Sequence, residues 1–430
     1  MTALLVAFGI LFALLFAGVP IGIAIGIVGV VGFAGVVGWQ PALAMVSQIA
    51  LDNVMNYNFS VLPLFVLMGG LFAHSRMAEE LFRASYAFYG HWRGGLSMAT
   101  ILACGGFSAV SGSSLACAAA MTKVSVPIMR RYGYAPGFAA GTVAAGSTLD
   151  ILIPPSITMV VYCIVTDVNL AKLMIAGFLP GLLTIACYLV AIAAVTGVWP
   201  HLGPAGERTG WPARLKALRE VWAIVLLFGI ALGGIYLGVF TPTEAAGIGA
   251  FGAFVLAAAR RRLTMKGLFE LMTETATTTA MIFFVVIGAL LFANYVTVSG
   301  GAEALNKWVQ GMSLGPTGFI LALLGIYLVL GCVLDASAMT VLTVPIFFPM
   351  VLQAGIDPIW FGIFVTIVVG IGMIHPPLGM LLFVVRALIP DVNTRQVFAG
   401  VLPFLAADAV RIGLLIAFPS IVMVLPQMMK

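Results

Sequence analysis

The sequence predicts an all-α polytopic membrane protein with two inverted-topology repeats of about five spans each and one re-entrant helical hairpin per repeat. Three observations lead to this fold class: the composition, an internal duplication and the placement of the basic residues. Of the 430 residues, 62% are hydrophobic and 8% are charged, against roughly a quarter charged in soluble proteins. Apolar runs of about 20 residues, enough to cross a bilayer, recur from end to end. The chain is therefore expected to reside in a lipid bilayer, and its net charge of +5 implies no nucleic-acid partner.

An internal repeat divides the chain into halves. Shifting the sequence by 222 residues superposes five prolines of the first half on five of the second, whereas random placement would match about half a pair. The matched positions are Pro20 and Pro242, Pro127 and Pro349, Pro136 and Pro358, Pro154 and Pro376, and Pro155 and Pro377. We therefore predict a first repeat over residues 1–200, a hydrophilic linker over 201–220 and a second repeat over 221–430.

The basic residues orient the two halves oppositely. The linker and the loop two apolar runs later are both basic, through Arg208, Arg214, Lys216, Arg219, Arg260, Arg261, Arg262 and Lys266. Their first-half counterparts, the N-terminus and a predicted loop at 39–58, contain no Lys or Arg. The next basic cluster follows one further span, at Arg76, Arg83 and Arg93. The positive-inside rule then predicts a cytoplasmic linker with both termini outside, and inverted repeats of this kind are typical of secondary transporters.

The hydrophobic pattern predicts ten spans, five in each half. They cover residues 3–17, 20–38, 59–75, 134–165, 175–198, 221–238, 242–259, 267–293, 357–389 and 396–425. Between the third and fourth span of each half lies an apolar segment that is too long for a loop, at 96–131 and at 316–353. Each must return to the side it entered if the charge pattern is to hold, so each is predicted to be a re-entrant hairpin. A single long kinked helix is the alternative.

The stretch "SAVSGSSLAC" at 108–117 falls at the tip of the first predicted hairpin. Small polar residues allow a tight chain reversal and satisfy backbone groups that hydrocarbon cannot satisfy. They either make this turn only, or their oxygens bind a hard cation and the following helix N-terminus faces an anion. Under the 222-residue shift Ser113 matches Asp335, and an ionisable residue at membrane depth indicates a functional site.

The fourth span of each half is interrupted. The interruptions are "GSTLDILIPPS" at 146–156 and "GIGMIHPPLG" at 370–379. Proline removes a backbone amide and frees a carbonyl one turn earlier, so a plain kink would explain either interruption alone. Two hairpin tips that face two broken helices, related by a repeat, indicate a binding site instead.

Several motifs occur in a characteristic order along the chain. They are "LPLFVLMGGLF" (62–72), "GHWRGGL" (90–96), "SAVSGSSLA" (108–116), "RRYGYAPGFAAG" (130–141), "LIPPSI" (152–157) and "PPLGMLLFVV" (376–385). Together they resemble the large membrane subunit of the tripartite ATP-independent periplasmic (TRAP) transporters, the DctM family, over nearly the whole chain. The resemblance implies a sodium-driven, elevator-type importer of a small organic acid in the bacterial inner membrane. It also implies two partners, a small four-helix membrane subunit and a periplasmic substrate-binding protein.

The resemblance further implies site residues at the hairpin tips and the helix breaks. Sodium is expected at Ser111, Ser113, Ser114, Gly146 and Pro154 in the first half, and at Asp335, Ser337, Gly370, Gly372 and Pro376 in the second. The acid is expected at Ser113, Ser114, Pro155, Ser156, Ser337 and Pro377. No cofactor is implied other than sodium as the coupling ion.

Two positions depart from the family pattern. Asp150 stands where glycine is usual, and His375 stands where a threonine usually precedes the second Pro-Pro pair. Both side chains can bind protons, so proton coupling is an alternative to pure sodium coupling, and local hydrogen bonding is the other interpretation. In the last span, Asp408 and Arg411 lie three residues apart and are expected to pair on one helix face.

Rival functions fit the sequence to different degrees. A free-standing sodium/carboxylate symporter that needs no binding protein uses the same features and stays open. The sequence contains no HExxH motif and no Cys/His cluster with metal-ligand spacing, which argues against an intramembrane metalloenzyme. It also contains no GxxxxGK[ST] loop, which argues against an ATP-driven pump. The sequence therefore favours a secondary transporter and no enzymatic activity.

Overall fold

The computed structural model describes residues 2–75, 77–260, 263–301, 303–304, 307, 311, 315–332 and 334–429, and this part of the chain consists of helices and connecting loops, without strands. The basic residues Arg76, Arg261 and Arg262 lie outside the described residues. The first-half helices are α1 (Thr2–Phe16), α2 (Ile21–Val37), α3 (Trp39–Met55), α4 (Val61–His74), α5 (Met77–Tyr89), α6 (Gly95–Ser111), α7 (Ser114–Arg131), α8 (Pro136–Ser147), α9 (Leu149–Leu152), α10 (Ile157–Thr166) and α11 (Leu170–Val198). The linker and second-half helices are α12 (Trp211–Glu220), α13 (Trp222–Tyr236), α14 (Pro242–Ala259), α15 (Met265–Val298), α16 (Pro316–Gly331), α17 (Ala336–Gln353), α18 (Pro358–Gly372), α19 (Met380–Leu388), α20 (Thr394–Ala417) and α21 (Ser420–Met428). The all-α fold class is confirmed.

Many of these helices have the length and composition of membrane spans. Among the described residues, six helical segments are long and apolar enough to cross a bilayer, and the number rises to eight if the bent pairs α4–α5 and α12–α13 each count as one. The ten predicted spans exceed this number for a physical reason. Helices α1 and α2 are apolar but have only 15 and 17 residues, and the predicted span at 357–389 is divided into α18 and α19.

Three segments differ from the predicted pattern. The loop predicted at 39–58 is mostly the helix α3, and the hydrophilic linker contains the helix α12. Both helices mix polar residues with exposed large side chains such as Trp39 and Trp211, and a helix of mixed polarity does not stand out as a span. The predicted last span is divided at Pro419, between α20 and α21, because proline has no amide to continue the helix.

The second and third spans of the two halves pack crosswise, α2 against α15 and α4 against α14. Glycine allows the backbones to approach closely, since a Cβ placed on Gly29 would stand 2.6 Å from the Phe292 amide nitrogen. Small residues at helix crossings are a common means of packing in membranes, where lipid offers no hydrophobic driving force between helices. We call α2, α4, α14 and α15 the frame.

The helices that carry the predicted site form a second group. We call α6–α10 together with α16–α19 the hairpin core. The long helices α11 and α20 pack against each other and against this group. The tightest contact joins α8 to α20, where a Cβ on Gly400 would stand 1.8 Å from the Gly137 carbonyl oxygen.

The basic segments of the chain gather at one end of the molecule. Arg214 Nε of the linker donates a hydrogen bond to the Ala87 carbonyl oxygen at 2.9 Å, so the linker lies beside the end of α5. Arg260 Nη1 lies 2.7 Å from Glu80 Oε1, which joins the end of α14 to the first turn of the same helix. We call this the linker end.

Candidate functional site

The first hairpin consists of α6 and α7, which meet at Gly112 and Ser113. Gly112 has a φ of +63°, a left-handed conformation that glycine adopts without the steric penalty of a Cβ. Ser113 Oγ accepts a hydrogen bond from Ala116 N at 3.3 Å and so caps the N-terminus of α7. The far ends of the two helices are also adjacent, because Leu96 N donates to Tyr134 Oη at 3.1 Å. The helices therefore run antiparallel from the linker end to an interior tip.

The first tip lies against the break that separates α8 from α10. Ser111 Oγ donates to Asp150 Oδ1 at 2.5 Å, and a Cβ on Gly112 would stand 3.3 Å from the Pro155 carbonyl oxygen. Ser156 Oγ caps α10 by accepting a backbone hydrogen bond at 3.4 Å. The residues of this contact are all buried, namely Ser111, Gly112, Asp150, Pro155 and Ser156. The predicted site residues Ser114 and Pro154 are buried as well.

The second hairpin, α16 and α17, has the same capping arrangement at its tip. Asp335 Oδ1 accepts a hydrogen bond from Ala338 N at 2.7 Å, and Asp335 is thus the N-cap of α17. Ser113 and Asp335 are the residues matched by the 222-residue shift, so the two matched positions have the same structural role. Ser337 follows in the first turn of α17 and is half-buried.

The break between α18 and α19 lies against the end of α16. A Cβ on Gly372 would stand 2.7 Å from Gly331 Cα, which leaves room for glycine only. Cys332 Sγ donates to the Pro376 carbonyl oxygen at 3.8 Å, and His375 Nδ1 lies 2.5 Å from the same oxygen. The Pro376 carbonyl, a predicted sodium ligand, therefore already has two polar side chains beside it.

The predicted residues do not form one cluster. Gly146 faces the outgoing helix of the first hairpin, since its added Cβ would stand 2.7 Å from Cys104 Sγ. Gly370 faces the break of the other half, with 3.6 Å between its added Cβ and Thr148 Cβ. Pro377, by contrast, is exposed. Gly146 thus lies in a tight helix contact, whereas Gly370 leaves ordinary van der Waals space for a Cβ. The two breaks touch each other through Gly370.

The cavity that borders the first tip is small in this conformation. It lies between Val110, Pro155 and apolar side chains of α4, α13 and α14, and it has a volume of about 20 Å³, room for about one water molecule. A larger crevice of about 670 Å³ lies between the loop after α10 and the loop before α14, lined among others by Asp167, Lys172 and Thr241. Since α11 runs from this crevice to the linker, the crevice opens at the end opposite the linker end.

Ser108 is a polar residue of this region that the sequence analysis did not single out. Its hydroxyl is buried and has no hydrogen-bond partner among the described residues. It lies four residues after Cys104 and three before Ser111, and this spacing places all three on one helix face. That periodicity is the signal that would have identified Ser108.

A buried ion pair lies behind the first break. Arg411 Nη2 lies 2.8 Å from Asp408 Oδ1, which confirms the expected pairing within the last long helix. Tyr188 Oη of α11 donates to the same carboxylate at 2.9 Å, and Arg411 Nη1 donates to Thr184 Oγ1 at 2.7 Å. Tyr188 Oη also lies 3.4 Å from Thr148 Oγ1. The network therefore connects α20 and α11 to the first break.

A second ion pair ties the base of the first hairpin to the second half. Arg130 Nη1 at the end of α7 lies 2.8 Å from Asp391 Oδ2 in the loop after α19. The hydrogen bond from Arg130 holds the pKa of the exposed Asp391 carboxyl below its ordinary value. This basic residue is therefore engaged in a structural contact.

Comparison with known proteins gives concordant results. Residues 8–421 match the family model of the tripartite ATP-independent periplasmic transporter, DctM component. The C4-dicarboxylate TRAP transporter large permease protein DctM of Pseudomonas aeruginosa is 36% identical over 373 residues, 86% of this chain and 87% of that protein. The sialic acid TRAP transporter large permease protein SiaM of Vibrio cholerae is 31% identical over 386 residues, 89% of each chain. The fold is similar to the crystal structure of the Alcanivorax borkumensis YdaH transporter, with a TM-score of 0.65 and 16% identity over 90% of each chain.

The family match covers nearly the whole length of the chain, including both hairpins and both helix breaks. The family and the relatives are transporter permease components of the membrane, which confirms the expectation of a multi-pass transporter rather than an enzyme. The resemblance carried by the ordered motifs is confirmed by the same match. This chain belongs to the DctM family, the large permease component of the tripartite ATP-independent periplasmic transporters.

Proposed function

We propose that this chain imports a small organic acid across the bacterial inner membrane by symport with sodium ions. It works with a small four-helix membrane subunit and a periplasmic binding protein that delivers the acid. The observation that carries the proposal is that each of two capped hairpin tips abuts a broken helix, at Pro155 in one half and at Gly372 in the other. Helix N-termini favour an anion, while hydroxyl and freed carbonyl oxygens favour a hard cation.

Crosswise packing supports inverted repeats. In the frame, α2 contacts α15 and α4 contacts α14, and in the hairpin core α7 contacts α19 and α17 contacts α10. Under the 222-residue shift α2 corresponds to α14, α4 to α15, α7 to α17 and α10 to α19. Each of these four contacts thus has a counterpart with the halves exchanged, as a two-fold axis in the membrane plane produces. The linker is cytoplasmic and both termini are periplasmic in this arrangement.

Unequal contacts between the hairpin core and the frame support an elevator-type movement. Helix α17 packs against α15, whereas its counterpart α7 has no comparable contact with α4 in the described part of the chain. A core held at one end of its movement would produce this difference.

The sodium ions and the acid bind at the tips and breaks. For sodium the proposed residues are Ser111, Ser113, Ser114, Gly146, Pro154, Asp335, Ser337, Gly370, Gly372 and Pro376. For the acid they are Ser113, Ser114, Pro155, Ser156, Ser337 and Pro377. Because the cavity beside Pro155 has only about 20 Å³, a hairpin must move before an acid can enter.

Local contacts favour sodium over proton coupling. Asp150 accepts the Ser111 hydroxyl, and His375 lies against the Pro376 carbonyl. Each unusual residue therefore has a hydrogen-bonding role in its own half. The relatives named for C4-dicarboxylate and sialic acid transport support an organic acid as the cargo.

The test is uptake by proteoliposomes that contain this chain, its small membrane subunit and the binding protein. A panel of labelled acids, including C4-dicarboxylates and sialic acid, is offered with an inward sodium gradient, and potassium replaces sodium in the control. We expect uptake of one class of acid that requires sodium and all three proteins, and that stops when monensin collapses the gradient. Robust uptake by this chain alone would instead establish a free-standing symporter. Uptake driven by a pH gradient without sodium would overturn sodium coupling.

A further inference from the structure

A buried carboxylate lies behind the first tip at a position where the second half has none. Asp150 is 2% exposed, and the residue matched to it by the 222-residue shift is Gly372. In the second half the hairpin and the break touch through backbone, Gly331 against Gly372. In the first half the Asp150 side chain fills this contact and accepts a hydrogen bond from the Ser111 hydroxyl at 2.5 Å. The hairpin therefore meets the break through a side chain in the first half and through backbone in the second.

We propose that Asp150 is a positioning residue of a cation site at the first tip, and that Ser108 supplies one of its oxygens. The proposal rests on the sodium coupling proposed above. Because Ser111 directs its hydrogen to Asp150, the lone pairs of the Ser111 oxygen point away from the carboxylate. One of them receives a weak hydrogen bond from Ser113 N at 3.4 Å, and the other is available to a cation.

Ser108 is placed to take part in the same site. Cys104 contacts the break at Gly146 and Ser111 contacts it at Asp150, so Ser108 lies between them in the seam between hairpin and break. Its hydroxyl is buried without a partner among the described residues, and burial of an unpaired hydroxyl is unfavourable. A cation bound by the Ser108 oxygen removes this penalty.

The chemistry of the site suits a monovalent hard cation. The atoms that would bind the cation are hydroxyl oxygens, which suit hard cations better than soft ones. Asp150 contributes a negative charge one hydrogen bond removed from the ion, and such outer-shell carboxylates orient a ligand and raise its basicity. The second half obtains its negative charge from Asp335 instead, at the tip itself. The structure thus assigns one carboxylate to the site of each half.

Sodium titration of side-chain variants tests the proposal, with two readouts measured on the complete complex. The first is the sodium concentration for half-maximal uptake, and the second is the sodium-induced rise in melting temperature of the purified complex, which needs no transport. Asp150→Asn keeps an acceptor for Ser111 but loses the charge, Asp150→Gly removes both, and Ser108→Ala removes one oxygen. The matched control is Asp357→Asn, an exposed N-cap carboxylate that accepts from Ile359 N at 2.8 Å.

We expect Asp150→Gly to raise half-saturating sodium by about 10- to 100-fold, with a smaller rise for Asp150→Asn and Ser108→Ala. The maximal rate at saturating sodium should be largely kept, the sodium-induced thermal shift should shrink in parallel, and Asp357→Asn should match the wild type. A lower maximal rate with unchanged half-saturating sodium would make Asp150 a purely structural tie and overturn the proposal. If Asp150→Gly does not fold, Asp150→Asn and Ser108→Ala decide the question. Sodium-dependent wild-type uptake with insensitive variants refutes this inference alone, whereas sodium-independent wild-type uptake refutes the proposed function.

Discussion

Replacing Asp335 by asparagine should raise the sodium concentration for half-maximal uptake and leave the fold intact. The carboxylate caps α17 by accepting a hydrogen bond from Ala338 N at 2.7 Å. Asparagine offers an oxygen at nearly the same reach and ranks with aspartate as an N-cap, so the melting temperature of the complex should hardly change. Asp335→Ala would lose the cap as well, and with it about 1 kcal/mol of stability.

The charge is the property that asparagine removes. Two unit charges about 4 Å apart attract each other by about 4 kcal/mol at an effective dielectric constant of about 20. Desolvation of the ion and of the carboxylate offsets part of this attraction. If about 1.4 to 2.8 kcal/mol survives, half-saturating sodium rises about 10- to 100-fold.

The assay is initial uptake by the complete proteoliposome system at graded sodium concentrations, with the melting temperature of each variant measured in detergent. Asp335→Ser is the informative companion, since it gives the second tip the capping residue that Ser113 provides at the first. It should behave like Asp335→Asn, with a retained cap and a weakened sodium response. Uptake by Asp335→Asn with wild-type sodium dependence would show that Asp335 only caps the helix, and the ion-binding assignment would be withdrawn.

Three further predictions concern packing and topology. Gly400→Ala should lower the stability of the protein by about 1–3 kcal/mol, because its Cβ would stand 1.8 Å from a backbone oxygen. Gly413→Ala on the same helix is the control, since its Cβ would meet nothing within 4 Å and the substitution should be neutral. Thermal melts of the two variants check this difference. Asp408→Asn should destabilise the protein by about 3–5 kcal/mol, since it leaves a buried guanidinium without its charge partner. Tyr188→Phe should destabilise it less, by about 1.5–3 kcal/mol for the loss of a hydrogen bond to a charged group, and equal effects in thermal melts would contradict the ion-pair assignment. Cysteines introduced into the 201–220 linker should react with impermeant reagents only from the cytoplasmic side, and labelling from outside intact cells would contradict the inverted repeats.

Helix ends were the best predicted features, because they depend on local chemistry. The segments 96–131 and 316–353, predicted as hairpins, coincide within one residue with the outer bounds of α6–α7 and α16–α17. Glycine, serine and proline decide where a helix stops and starts through their own backbone geometry and caps. Gly112 and Ser113 show this directly, with a positive φ at one and a capping hydroxyl at the other.

Segments of mixed polarity were the worst predicted features. Helices α3 and α12 were predicted as a loop and a linker, because their polar residues lower the mean hydropathy below that of a span. Both are nevertheless helices that pack against neighbours, α3 against α2 and α15, and α12 against α5. Those neighbours are distant in sequence or separated by a turn, so no local signal identifies them.

By itself the sequence determined the membrane environment, the two tips and the two breaks, since these depend on hydropathy and on prolines and glycines. The duplication stays a prediction from the 222-residue match. Only the tertiary structure decided which of the predicted site residues meet. Ser111 reaches Asp150 across 39 residues of sequence, Gly370 reaches the break of the other half, and Ser108 is left without a partner. The physical reason is that a side chain's function at membrane depth depends on which donors, acceptors and backbones surround it. That neighbourhood is created by helices packed from both halves of the chain.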